Sequence, residues 1–355
     1  MAGGLQNFLF TIFLVIFTAS LALALVGTPI ARRAALHLDI VDHPSSRKIH
    51  AAPMPYLGGA AIYVAFLAII VVALTVVQSQ VREVRGLTAV VQLVAMVGGA
   101  SMMAVLGLFD DRYNLPSLLR LSMQSLAAVA LIASGVTLHF HHFGWLDYPV
   151  SFIWIVGITN AFNLMDNMDG LSVGVATIGS AYFFLLAFLA DTTQFLVASL
   201  AAALCGACLG FLRYNFNPAR IFMGDAGAYF LGFLLAAIGM KLKLPGLHVV
   251  SWIIPIIVLG LPIFDTTLVT VSRLRRGVSP GKAGKDHTSH RLVRAGFTQR
   301  EAVLLLYLVA GALGTSSLVL TRASLNEGFA LGFVLIVIGV LAFLKLEQIY
   351  YQPER

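Results

Sequence analysis

Charge is scarce in this chain: only 11% of its 355 residues are Asp, Glu, Lys or Arg, whereas a soluble domain carries about a quarter. Hydrophobic residues make up 59% and the mean hydropathy is +0.90, which excludes a water-soluble globule of this length. Cysteine is almost lacking. The two present, Cys205 and Cys208, exclude a disulfide framework, and their C-x-x-C spacing has no soluble thioredoxin-like context around it. They read as small residues packed inside a membrane helix. The chain also lacks internal repeats, low-complexity tracts and any polar segment long enough for a soluble domain.

What fills the chain instead is a series of apolar runs near the roughly 20 residues that a bilayer core requires. They lie at 8–30, 56–77, 87–109, 117–138, 149–165, 171–190, 194–212, 226–240, 249–271, 300–320 and 328–345. The expected fold is therefore all-α: a polytopic integral membrane protein of about 11 transmembrane helices, forming one domain over 1–355. Span 8–30 is long, lacks a basic region before it and runs straight into further spans, unlike a cleaved signal peptide. Most of the 23 Lys and Arg residues fall on one set of loops, leaving Arg82, Arg85, Lys241, Lys243 and Arg322 on the other. By the positive-inside rule the N-terminus is outside and the C-terminus cytoplasmic. The cytoplasmic segments 31–55, 110–116, 166–170, 213–225 and 272–299 are then expected to build one active site in the cytoplasmic membrane. The formal charge of +7 reports this topology and can attract anionic substrates and lipid headgroups. Nucleic acid is not expected as a partner, because the basic residues are divided among short loops.

The acidic residues number only 16, and those near the membrane cluster on the same side. Asp110 and Asp111 end one span, Asp166 and Asp169 follow another, Asp225 precedes a third, and Asp265 lies inside a fourth. Ionisable groups at membrane depth read as functional. One such Asp is explained by helix capping; so many on one face need a cation or basic groups between them, and oxygen ligands suit Mg²⁺ or Mn²⁺.

Five motifs carry these residues. In V-D-H-P-S-S-R-K-I-H-A-A-P-M-P-Y-L-G-G (41–59), the prolines forbid a continuous helix, and Lys48 and His50 can reach a phosphate, although the segment also fits an ordinary basic loop. In F-D-D-R-Y-N-L-P (109–116), adjacent Asp110 and Asp111 point different ways on a helix, so one can engage a cation or phosphate while the other orients a neighbour. In N-A-F-N-L-M-D-N-M-D-G-L (160–171), Asn163, Asp166 and Asp169 recur at helical spacing and offer three oxygen-bearing side chains. The D-x-x-D-G run lacks the Ala-Arg that CDP-alcohol phosphotransferases require; Val173-Gly174 stands there. In R-I-F-M-G-D-A-G-A-Y-F-L-G (220–232), Asp225 stands at a helix start where backbone amides favour a diphosphate, and Phe222 can stack on a flat base or contact lipid. In S-R-L-R-R-G-V-S-P-G-K-A-G-K-D-H-T-S-H-R-L-V-R-A-G-F-T (272–298), His287, His290 and Arg291 suit a phosphate-rich ligand. That loop lacks the cysteines of a zinc site and the Ser/Thr of a P-loop. His139, His141 and His142 lie on the opposite side from every carboxylate and read as interfacial residues beside Trp145 and Tyr148.

In order, spacing and membrane side, the five motifs together resemble the polyprenyl-phosphate N-acetylhexosamine-1-phosphate transferases, over about Val41 to Thr298. The D-H-T-S-H-R loop and the R-A-G-F-T after it look like the teichoic-acid and enterobacterial-common-antigen branch, with Ser289 where a further His is usual. The resemblance implies a dimer, a cytoplasmic cleft and Mg²⁺, and transfer of N-acetylhexosamine-1-phosphate, GlcNAc-1-phosphate above all, from a UDP-sugar to undecaprenyl phosphate with release of UMP. It makes Asp225 the principal metal ligand and Asn163 a further one. Asp110 and Asp111 become the paired catalytic carboxylates, with Asp166 an active-site carboxylate beside them. Asp169 and Phe222 would read the uracil, and His287, His290 and Arg291 would contact the sugar and phosphates. Two other readings stay in play: a Mg²⁺-dependent intramembrane prenyltransferase, and a cation-coupled transporter with carboxylates on its ion path.

Overall fold

The computed structural model describes residues 2–42, 53–77, 86–138, 144–190, 194–244, 253–281 and 284–351. Its thirteen described helices are α1 (Ala2–His37), α2 (Gly58–Val77), α3 (Leu87–Tyr113), α4 (Ser117–Ala133), α5 (Asp147–Met165), α6 (Leu171–Phe188), α7 (Phe195–Asn215), α8 (Gly224–Lys241), α9 (Ile253–Val258), α10 (Gly260–Arg275), α11 (Thr288–Arg294), α12 (Gln299–Leu320) and α13 (Leu325–Tyr351). Besides these, among the described residues, there are a short turn of 3₁₀ helix at Gly144–Leu146 and a two-residue antiparallel pair, β1 (Val41–Asp42) with β2 (Met54–Pro55). Every predicted span falls on helix. Seven described helices are long and apolar enough to cross a membrane, and Gly58–Ala73 and Ser117–Ala133 are shorter apolar ones. The protein is thus an all-α, multi-pass membrane protein. Lys48 and His50, and His139, His141 and His142, lie outside the described residues.

The predicted span 249–271 is not one helix. It breaks at Leu259 into α9 and α10. Pro262 has no N–H to give the carbonyl four residues back, so the ladder cannot run through. α1, by contrast, tolerates Pro29 and continues to His37. At 1.5 Å per residue it is about 54 Å long, well beyond a hydrocarbon core of about 30 Å. Its far end carries Arg32 and Arg33, and Arg32 donates to the Arg220 carbonyl at 3.1 Å.

α8 is the central helix. Every residue from Ala226 to Met240 is buried, which matches its apolar, small-residue sequence with no polar face. α2, α3, α5 and α6 pack most extensively against it, and α7 and α9 touch it. Glycine permits the closest approaches: a Cβ on Gly59 would strike the Gly227 backbone, and one on Gly107 would strike Asp225 and Ala226. Close helix contact through small residues is how helices associate where apolar burial supplies little drive. The consequence for function is that the N-terminus of α8 is fixed by the best-packed part of the molecule.

Candidate active site

At that N-terminus opens a cavity of about 780 Å³ to which all five polar segments contribute. Gly224, the first residue of α8, has φ +74°, and a Cβ there would also meet the Asp111 carboxylate. Only glycine serves both demands. Asp111 accepts the N–H of Asp225 at 2.8 Å and of Ala226 at 3.3 Å. A carboxylate from α3 therefore caps α8, where the helix dipole favours negative charge. Asp225 accepts from the Asn163 amide at 2.5 Å. The P-Y-L-G-G segment threads past the same corner: Phe222 N–H donates to Pro55, Gly58 to Phe222 and Gly59 to Met223.

The D-x-x-D-G turn forms the second wall. Gly170 N–H donates to the Asn215 side chain at 3.1 Å, and Asn215 donates to Ile221 at 2.9 Å. Asp169 Oδ2 accepts from Ala219 N–H at 2.9 Å and from Asn217 at 3.2 Å, and Asn217 also reaches Gln299. The Asn217–Pro218 peptide is cis. Phe222 packs on Tyr56, ring centroids 5.9 Å apart at 54°. Withdrawal from water, then the charges of Asp225 and Asp169, push the Asp166 carboxyl up to about 8.

The third wall is basic. Lys285, His290 and Arg294 line it. Burial first, then His287 and Lys285, push His290 down to about 4. Ser289 is buried, and its hydroxyl donates to the Asn167 side chain at 2.6 Å, tying α11 to the D-x-x-D-G turn. Gly296, at φ +106°, ends α11, and Thr298 and Glu301 close a capping box that starts α12. The R-A-G-F-T run is thus a helix-stop, helix-start corner.

Of the residues singled out from sequence, Asp111, Asn163, Asp166, Asp169, Phe222, Asp225 and His290 line this cavity. Three do not. Asp110 is 2% exposed, and its carboxylate accepts from Leu115 N–H at 2.8 Å, the Tyr229 hydroxyl at 2.8 Å and Arg120 at 3.1 Å. His287 Nδ1 pairs with Asp265 at 2.8 Å, and Thr288 N–H donates to the same carboxylate at 2.7 Å. Asp265, the acid at membrane depth, thus holds the start of α11. Arg291 is fully enclosed and turned away from the cavity. Reading the sequence also passed over Asp42, Tyr56, Asn217, Lys285, Arg294 and Gln299, which line the cavity. Arg294 was detectable, standing one helical turn after His290; Asn217 and Gln299 carry no such signal.

Among the described residues, no three His, Cys, Asp or Glu side chains form a ready metal cage. A hard cation such as Mg²⁺ is usually held by one or two carboxylates together with water and substrate phosphates. Asp225 and Asn163 are adjacent oxygen-bearing residues that could hold one, with the Asn163 amide turned to present its carbonyl.

Comparison with known proteins places the chain in a family. The family described as Glycosyl transferase family 4 matches residues 93–243. A probable undecaprenyl-phosphate N-acetylglucosaminyl 1-phosphate transferase of Bacillus subtilis (strain 168) is 34% identical, over 91% of this chain and 89% of that one. A decaprenyl-phosphate N-acetylglucosaminephosphotransferase of Mycolicibacterium smegmatis is 31% identical, over 88% of this chain and 83% of its own. An undecaprenyl-phosphate alpha-N-acetylglucosaminyl 1-phosphate transferase of Yersinia pestis is 27% identical, over 89% and 85%.

Proposed function

Because the chain belongs to glycosyl transferase family 4, we propose that it transfers GlcNAc-1-phosphate from UDP-GlcNAc to undecaprenyl phosphate, giving undecaprenyl-diphospho-GlcNAc and UMP. The observation that carries this reading is the single cavity joining carboxylates at the α8 N-terminus, an aromatic wall and a basic wall. A nucleoside diphosphate sugar needs all three. The product starts a cell-surface polysaccharide or a teichoic acid.

The uracil ring lies against Phe222 and Tyr56. Asp169 Oδ1, which takes no hydrogen bond from the described residues, accepts the uracil N3–H. Asp225 and Asn163 would hold Mg²⁺, which would supply positive charge against the diphosphate. Lys285 and Arg294 neutralise the phosphates from the opposite wall, and the His290 ring donates a hydrogen bond to them. The lipid phosphate oxygen bonds to the β-phosphorus as the bond from that phosphorus to the bridging oxygen breaks, and UMP departs with that oxygen. Asp111, the member of the Asp pair that lines the cavity, takes the proton of the lipid phosphate. Asp110 orients it through the α3–α4 corner. Positioning and charge neutralisation supply most of the rate in such chemistry.

The cavity opens on the cytoplasmic face, with the N-terminus outside, about eleven crossings and a homodimeric assembly. The basic loops support that orientation. A prenyltransferase would release inorganic diphosphate, and a transporter would release nothing covalent. Purified protein, undecaprenyl phosphate and a panel of labelled UDP-sugars decide among them: UMP appears with UDP-GlcNAc. Diphosphate release without UMP, or no UMP with any UDP-sugar, refutes the reading.

A further inference from the structure

Helix α13 meets the rest of the molecule chiefly at one end. Phe329, Phe333, Ile336 and Leu341 are each at least 60% exposed, as expected of a helix surrounded by lipid, and among its described side chains only Leu346 and Glu347 are buried. A buried carboxylate in the last turns of such a helix requires a partner. Glu347 accepts from Arg291 at 2.7 Å, and the Leu346 carbonyl accepts from the same nitrogen at 3.1 Å. One turn on, the Tyr350 ring lies under three guanidinium groups: Arg276 at 4.6 Å, Arg294 at 4.7 Å and Arg291 at 5.0 Å. Arg276 also donates to the Tyr350 hydroxyl at 2.8 Å.

These contacts form one block with the loop before α11. Asp286 accepts from Arg273 at 2.6 and 2.9 Å and from Arg276 at 2.7 Å, and its carbonyl accepts from Arg291 at 2.8 Å. Those guanidiniums hold the Asp286 carboxyl down to about 2, against the penalty of burial. The helix they anchor, α11, has seven residues. Two turns are too few to hold a helix in place by themselves, since the nucleation cost is not recovered over such a length. Its direction is therefore set by what it touches. On one side it touches α13; on the other His290, Val293 and Arg294 line the cavity. Arg294 belongs to both sides, stacked on Tyr350 while facing the ligand space.

We propose that Tyr350, seconded by Glu347, is a positioning residue for the nucleotide-sugar side of the reaction: it holds α11 so that His290 and Arg294 meet the donor phosphates. The proposal rests on the phosphosugar-transfer reading. It gives Arg291 a role different from ligand contact, as the link through which α13 grips α11. It also predicts that the lipid substrate is indifferent to Tyr350, because none of the groups it holds belongs to the Asp111–Asp225 corner.

The test uses the full chain in lipid nanodiscs, with two measurements. Tyr350→Ala should raise the KM for UDP-GlcNAc about tenfold, as expected from losing several cation–π contacts, and leave the KM for undecaprenyl phosphate within about twofold. Tyr350→Trp, which keeps an aromatic face for the guanidiniums, should recover most of the loss. Without substrate, amide hydrogen exchange across 288–294 should quicken in Tyr350→Ala and not in Tyr350→Trp. Unchanged exchange and unchanged KM in Tyr350→Ala overturn the proposal. So does an equal loss for both substrates that Tyr350→Trp fails to repair, which would make Tyr350 a packing residue of α13. If the unaltered protein releases no UMP, the transfer reading falls, and the exchange measurement still decides whether Tyr350 holds α11.

Discussion

The Asp111 carboxylate accepts the backbone N–H of Asp225 at 2.8 Å. Two acids of the site are therefore joined through the main chain of one by the side chain of the other, and the start of α8 is the common support. An Asn at 111 keeps an oxygen able to cap a helix and removes the charge. Asp111→Asn should therefore fold with a modestly lowered thermal midpoint, because Ala226 N–H loses its acceptor, while UMP release falls by roughly 10²–10⁴-fold, the range for loss of a general base. Activity within tenfold of normal would take Asp111 out of the chemistry.

Asp225→Asn tests the cation. UMP release should nearly vanish at ordinary Mg²⁺, and Mn²⁺ binding followed by electron paramagnetic resonance should weaken in the same variant. Full Mn²⁺ binding with activity lost would move the metal away from Asp225.

Asp110 should behave differently from its neighbour. Its removal leaves Arg120 and the Tyr229 hydroxyl without their shared acceptor and frees Leu115 N–H at the α3–α4 corner. Asp110→Ala is expected to cost about 3 kcal/mol, the low end for breaking a buried pair, because Arg120 is partly exposed. A lowered thermal midpoint should accompany any loss of turnover. Unchanged stability with turnover as low as in Asp111→Asn would place Asp110 among the reacting groups.

His290 offers a pH signature. Its pKa is lowered to about 4, from the ordinary value near 6.5. Between those values the unfolded chain binds more protons than the native one, so stability from this group is fully present above about pH 6.5 and declines as pH falls toward 4. A donor diphosphate beside the ring favours its charged form and should raise that pKa. Histidine NMR in the presence and absence of UDP-GlcNAc reads the change; no upward movement on ligand addition would mean that His290 does not face the phosphates.

Phe222→Ala should raise the KM for UDP-GlcNAc more than that for undecaprenyl phosphate, because base stacking is lost while the lipid path is untouched. Steady-state kinetics on both substrates measures this, and equal effects would reduce Phe222 to a packing partner of Tyr56.

Much of this arrangement was legible in the sequence because membranes impose simple rules. Apolar length marked the long helices but not the short polar α11, and the acids stood out because so few occur. The exceptions have local causes. The break at Leu259 needed the positions of Pro262 and Gly260 to be weighed above overall apolarity. Which of Asp110 and Asp111 faces the cavity depends on Tyr229 and Arg120, far away in sequence, and no spacing rule within 109–116 reveals them. Arg291 looked like a phosphate ligand because its neighbours are; its actual partner is an acid on the last helix. Tyr56 and Asn217 lie in segments expected at the site, but neither residue type marks itself as a wall of the cavity; their neighbours Phe222 and Asp169 reveal them only once folded.

The ring of Tyr350 beneath three guanidiniums also governs how the protein should be handled. A bulky or acidic segment fused shortly after Tyr351 stands within a few residues of that ring, where it competes for the arginines. A tag joined before Ala2 sits at the far end of a helix about 54 Å long. Preparations labelled at the two ends should therefore differ in donor affinity, and the apparent UDP-GlcNAc requirement of a C-terminally tagged preparation should fall when the tag is removed by protease.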